Sequence, residues 1–308
     1  MVCSATVTEI NRNLAATLKL CGPAVLSPQS KESSTPLEQV TAALMLILSR
    51  SHPCQKDEDD FDEPAPTEGE TAEYDWLVIE TAMEVIAALG TALGEQFGEL
   101  WKIFETPVMK YCSSQEKYER VAAVGTMADA IESMGSACTP STQKMMTLLL
   151  KRMRDEDPEV KSNAAFGMGL LCLNSNDEKQ ILGNYNTILG LLEPLLQAQH
   201  GSNDETQARL LDNAAGCVSR MIKKAPSHVP LQEVLPRLVD LLPLKEDFRE
   251  NEPVFDMIVT LYQSQNEVIQ GLTSKLMPVF EKVMGPPEDQ LTDETRSKLT
   301  QLVQYLRG

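Results

Sequence analysis

An all-α solenoid of stacked antiparallel helix pairs is the fold that this 308-residue sequence predicts, and three observations carry that reading. First, Pro194, Pro236 and Pro278 fall 42 residues apart, each inside an apolar helical run (LLEPLL, EVLPRLV and KLMPVFEKV). Pro107, in IFETPVM, lies 87 residues before Pro194, close to two further periods. Second, aliphatic side chains supply most of the 42% apolar content, while aromatics are only 5%. That composition suits helix-on-helix packing and lacks the β-branched alternation of a sheet. Third, segments such as DPEVKSNAAFGMGLL (157–171) carry a full helix signature. Asp157 is placed to cap the helix and Pro158 to open it, with Val160, Ala164, Gly167 and Leu171 on one stripe.

A period near 42 residues matches helix-pair units of the HEAT and armadillo kind, which run ~40–47 residues. The chain reads as about six HEAT repeats in one right-handed array over residues 1–308. Calling the first helix of each pair A and the second B, the A helices fall at about 36–50, 95–112, 140–154, 179–199, 228–242 and 266–284. The B helices fall at about 73–93, 115–135, 158–174, 205–224, 250–264 and 291–306, and residues 4–21 read as one further helix of a preceding repeat. The B helices align on a small residue close to the A partner: Ala82, Ala122, Ala164 and Ala214. A proline inside an A helix removes one backbone bond and bends it, which repeated once per unit favours a smooth curvature. The alternative is that each proline opens a late helix.

Between the first A and B helices, residues 55–72 (QKDEDDFDEPAPTEGETA) are polar and proline-rich, and read as a flexible acidic insert. From Asp57 to Glu99 there are fourteen acidic residues and no Lys or Arg. The net charge is −18. That charge argues against nucleic acid as a direct partner, since phosphate contacts need clustered cations, and a basic partner is favoured. Solubility alone also accounts for such acidity.

Seven scattered cysteines without a CxxC motif read as reduced thiols in an intracellular protein. His52 and Cys54, with Asp57 nearby, lack a second pair to complete a metal site. The longest apolar run, Ala42 to Leu48, is too short to span a bilayer, and no membrane partner is expected. No phosphate-binding loop, nucleophile elbow, zinc-protease helix or dinucleotide fingerprint appears, so no enzyme activity and no cofactor are expected.

At 100° per residue, positions two before and two after the core alanine of a B helix point away from the A helix. In the first B helix this gives an exposed stripe of Glu73, Trp76, Glu80 and Glu84, and in the fourth Glu205 and Asp212. Carboxylates beside an aromatic ring suit lysine, whose ammonium pairs with the acid while its stem lies on the ring. The alternative is an ordinary solvated helix face. Neighbouring helices lie ~8–10 Å apart, about the length of three extended residues, so a basic tail crossing the array meets successive repeats with every third side chain. Asn163 and Asn213 hold one equivalent position. Their amides either grip the backbone of an extended peptide or bond to the adjoining repeat or turn.

Four segments read together carry a family resemblance: AEYDWLVIETAMEVIAALG (72–90), ERVAAVGTMADAIESMG (119–135), DPEVKSNAAFGMGLL (157–171) and LLPLKEDFRENEPVFDMIVTLYQS (241–264). The chain resembles the carboxy-terminal portion of an importin-four-type karyopherin of the importin-β family, over most of residues 35–308. The resemblance implies a cargo-binding fragment of a nuclear import receptor, moving between cytoplasm and nucleus. It implies that lysine-rich nuclear localisation segments of basic cargo, core histones or ribosomal proteins, bind on the concave B-helix surface. The stripe residues Glu73, Trp76, Glu80, Glu84, Asn163, Glu205, Asp212 and Asn213 correspond to that surface. It further implies that the Ran GTPase engages amino-terminal repeats outside this chain. A HEAT-repeat scaffold subunit for folded partners and a histone chaperone are the alternative readings.

Overall fold

In the computed structural model, helix-forming stretches punctuated by caps and prolines fold into fourteen α-helices among the described residues. The structure describes residues 4–27, 34–55, 68–197, 204–286 and 290–308, with side chains in the third helix described from Trp76 onward. No strand occurs among the described residues. The helices are α1 (Ser4–Cys21), α2 (Pro36–Leu48), α3 (Glu68–Leu93), α4 (Phe97–Tyr111), α5 (Lys117–Met134), α6 (Thr142–Arg152) and α7 (Pro158–Asn174). There follow α8 (Glu178–Leu196), α9 (Glu205–Lys224), α10 (Leu231–Asp240), α11 (Asn251–Gln263), α12 (Glu267–Gly271), α13 (Thr273–Met284) and α14 (Asp293–Arg307).

The helix starts follow from local chemistry. Thr35 and Glu38 form a reciprocal capping box ahead of Pro36 at the first turn of α2. The carboxylate of Asp157 accepts from the amides of Glu159 and Val160 at the start of α7, as the sequence signature required. Asp177, Asp204 and Thr292 cap α8, α9 and α14 in the same manner. Pro107, Pro194, Pro236 and Pro278 all sit inside helices rather than opening them.

Three boundaries differ from the sequence reading. Helix α3 begins at Glu68, so residues 68–72 of the expected insert are helical. Glu68 and Glu70 favour a helix N-terminus through the backbone dipole. Residues 56–67 of that insert lie outside the described residues. The last A helix is divided into α12 and α13 at Leu272, directly after Gly271, whose backbone freedom weakens a helix interior. Several A helices also open through a short 3₁₀ turn, as at Gly94–Gln96 and Gly135–Ser141.

The chain divides into two compact units, Met1–Cys138 and Thr139–Gly308. In the first, α1, α3 and α5 lie side by side as a B layer, with α2 and α4 packed against them as an A layer. In the second, α7, α9, α11 and α14 form the B layer, and α6, α8, α10, α12 and α13 the A layer. Each helix therefore has neighbours along its layer and across to the other, so central helices must be apolar on most of their circumference. The stretch Trp76–Tyr111 is long and apolar enough to cross a membrane by composition, and most of its apolar window is buried inside the fold.

Close packing in the second unit depends on two glycines. A Cβ on Gly169 would stand 2.7 Å from the Cys217 backbone, so α7 and α9 meet there without a side chain between them. On Gly216 it would overlap the Glu250 carboxylate, which is wholly buried and paired with Arg220 through two hydrogen bonds of 2.5 and 2.8 Å. Ala82, Ala164 and Ala214 are fully buried, as their alignment expected. In α5, however, Ala123 is the buried residue and Ala122 only half-buried. Spacing could not choose between two adjacent alanines, and packing does.

Candidate functional site

Helix α3 is the central helix of its B layer, and between Trp76 and Gly90 its exposure is confined to one line. From Trp76 to Gly90, only Trp76, Leu77, Glu80 and Glu84 escape burial, with Glu84 exposed. Trp76, Glu80 and Glu84 are spaced one helical turn apart, so a ring and two carboxylates stand in a row on the face turned away from α2 and α4. Glu73 belongs to α3, but its side chain lies outside those described.

The ring of Trp76 is met from the neighbouring B helix. Tyr118, at the start of α5, stacks on it with centroids 4.7 Å apart and planes inclined by 25°. Tyr118 is 45% exposed, so the pair forms a surface platform rather than a core contact. Lys117 sets its ammonium 4.7 Å from the centre of the Tyr118 ring. The sequence reading missed Tyr118. Its signal was there, because Tyr118 follows Trp76 by 42 residues, the same interval as the prolines.

The residues expected on the second unit divide differently. Glu205, in the first turn of α9, is exposed. Asn163 on α7 is half-buried and already engaged within the protein. Asp212 is not on an exposed stripe, which corrects the sequence reading. It is fully buried, and its carboxylate accepts the backbone amides of Lys245, Glu246 and Asp247 at 2.7–3.3 Å. The segment between α10 and α11 folds over α9 and covers that position, which a helical projection of α9 alone cannot show. Asn213 is corrected in the same way. It is 3% exposed and donates to Ser162 Oγ at 3.0 Å, to the Arg209 carbonyl at 3.2 Å and to Asp247 at 3.3 Å. It ties α7, α9 and the following turn together, the structural alternative stated for it.

One further acid on the B layer of the second unit, Asp256, is already matched. Asp256 on α11 pairs with Lys223 of α9 at 2.5 Å and with Lys298 of α14 at 2.6 Å. Partial burial pushes its carboxyl up, but the hydrogen bonds and charges of the two lysines outweigh that and hold it below its ordinary value. His52 and Cys54 do meet, Nδ1 to Sγ at 3.0 Å, and no group of three metal-ligating side chains forms among the described residues.

Layers of paired helices stacked in this order are the architecture of a helical-repeat protein. Residues 99–288 match the family model described as TORTIFOLIA1 N-terminal, and the chain belongs to that family. It is similar to the Probable importin subunit beta-4 of Schizosaccharomyces pombe, with 36% identity over 269 residues, 85% of this chain and 24% of that protein. It is likewise similar to Importin-4 of Homo sapiens, with 29% identity over 304 residues, 97% of this chain and 26% of that protein. The resemblance to importin-four-type karyopherins therefore extends over most of the sequence. The chain spans about a quarter of the length of these relatives.

Among solved structures, importin beta crystallised in a polyethylene glycol condition superposes with a TM-score of 0.69 at 16% identity, covering 98% of this chain and 35% of that one. The karyopherin Kap121p, solved bound to the SUMO protease Ulp1p, gives 0.66 at 15% identity, covering 99% and 27%. At these identities the structures speak for the fold, an all-α solenoid of the karyopherin kind.

Proposed function

We propose that the chain is the cargo-binding part of a nuclear import receptor and that it holds lysine-rich segments on the B-helix face of its first unit. The observation that carries this reading is the confinement of exposure between Trp76 and Gly90 on α3 to Trp76, Leu77, Glu80 and Glu84. This stretch, buried on its other sides, presents a ring and two carboxylates at one-turn spacing, which is the chemistry that takes an ammonium and its aliphatic stem. The net charge of −18 adds long-range attraction for a basic segment. Kinship with importins supports transport as the setting, and with it movement between cytoplasm and nucleus. Core histone tails and ribosomal proteins are the cargo classes whose lysine content fits, and Glu205 offers a further carboxylate on the second unit.

The test is a titration of the chain with a fluorescein-labelled twelve-residue peptide of glycine, serine and four lysines, at 50 and 300 mM salt. Saturable binding that weakens steeply at the higher salt is expected, because the attraction comes from several partly exposed charges. Absence of binding at 50 mM salt would turn the reading toward a scaffold for folded partners.

A further inference from the structure

Within the second unit, the neighbouring helices α11 and α14 leave a cavity of about 310 Å³ between their C-terminal halves. Its apolar lining is Val259 and Tyr262 of α11 with Leu302 of α14, all three buried. The Tyr262 hydroxyl bonds Thr273 Oγ1 at 2.7 Å, so this residue brings ring rather than a polar group to the cavity. Gln263, Gln265, Gln301 and Tyr305 form an exposed rim. Tyr305 is 79% exposed, a large ring left in water at the mouth of an apolar cavity. Lys298 is the one charged residue of the lining, and its ammonium is held by Asp256 at 2.6 Å and Glu294 at 2.8 Å. Asp256 is shared in turn with Lys223, so two lysines and two carboxylates balance one another beside the cavity.

We infer that this cavity is a second peptide-binding site, and that its occupant is an uncharged, extended segment carrying one large aliphatic side chain. Charge complementarity decides the class. The balanced lysines and carboxylates favour neither an anion nor an ammonium, and a neutral segment enters without the cost of desolvating a charge. The aliphatic side chain lies against Val259, Tyr262 and Leu302, and Tyr305 packs along its outer side. The three glutamine amides each offer donors and an acceptor, the complement of a peptide group, whose N–H and C=O stand outward in an extended chain. The volume is at the lower end for ligand pockets, which suits one side chain with its flanking backbone. This inference does not rest on the lysine reading of α3, and its chemistry is the opposite. Burial of apolar surface drives it, so binding here is insensitive to salt where binding at the α3 row is steeply sensitive.

The experiment uses the full chain and a ten-residue peptide of glycine, serine and glutamine with one central photoreactive diazirine leucine. Irradiation followed by mass spectrometry reads where the side chain lies and how much of it is captured. Crosslinks are expected within residues 259–265 and 298–305, with equal yield at 50 and 300 mM salt. Excess unlabelled leucine peptide should suppress them, and an alanine version should need about 10-fold more, the scale of losing the buried part of a leucine. The four-lysine peptide should not compete. Tyr305→Ala, at an exposed position, is expected to lower the yield by about 3- to 10-fold while circular dichroism shows the helices intact. Crosslinks elsewhere, equal competition by the alanine peptide, suppression by the four-lysine peptide, or an unchanged yield in Tyr305→Ala would overturn the proposal. Sedimentation tests the rival occupant: self-association of the chain that disappears in Tyr305→Ala would assign this face to a second copy and overturn the proposal as well. Binding of the four-lysine peptide is read separately, so the α3 reading stands or falls on its own.

Discussion

Asp212 accepts three backbone amides of the segment leading into α11 from a position with no exposed surface. A charged acceptor of this kind holds a loop in place, because removing it leaves several buried donors without a partner. Asp212→Ala is therefore expected to lower unfolding stability by about 3 kcal/mol, read from chemical denaturation, with peptide binding to the first unit unchanged. The Arg220–Glu250 pair makes a second such test. Burial pushes the Glu250 carboxyl up, and the Arg220 hydrogen bonds and charge oppose it without reversing it. Arg220→Met leaves an unmatched buried carboxylate and should cost about 3–5 kcal/mol at neutral pH. The sign follows from the raised value. The folded state binds the Glu250 proton more tightly than the unfolded state, so the penalty is absent in acid below the ordinary glutamate value. It develops as pH rises through the higher folded value. A stability deficit that stayed constant from pH 3 to 8 would contradict this account of the pair.

At the scale of helices, much was legible and the failures have one cause. Capping residues and prolines announced most helix starts, and the 42-residue interval placed the A and B helices in register, because both signals are local in the chain. The acidic row of α3 was legible too, since a central helix has a single open line and Ala82 marks the side opposite to it. Asp212, Asn213 and the choice between Ala122 and Ala123 were not legible. Each depends on which segment of another repeat lies across the helix, information that periodicity within one helix does not contain. The open line on α3 makes its own prediction. Glu84→Ala should change stability by less than about 0.5 kcal/mol, while Ala82→Leu, two residues away and fully buried, should cost about 1–3 kcal/mol through overpacking. Thermal denaturation of the two variants compares them directly, and equal losses would mean that α3 faces the solvent differently.

For the whole molecule, the decisive feature is where acidic side chains stand beside an aromatic surface. On the second unit, Asp256 is already shared by Lys223 and Lys298, and Asp212 is buried under a loop. On the first unit, Glu80 and Glu84 stand beside a two-ring platform with the protein's own lysine resting on it. A basic segment attracted by the net charge of −18 should settle on the first unit for that reason. The most direct measurement is peptide affinity in a double charge-reversal variant, Glu80→Lys with Glu84→Lys, beside a control pair, Glu205→Lys with Glu246→Lys, that makes the same change in net charge on the second unit. The account predicts that the α3 pair abolishes detectable binding of the four-lysine peptide with an unchanged helical spectrum, while the control pair weakens it only modestly. An α3 double variant that binds the peptide as tightly as the parent would contradict it.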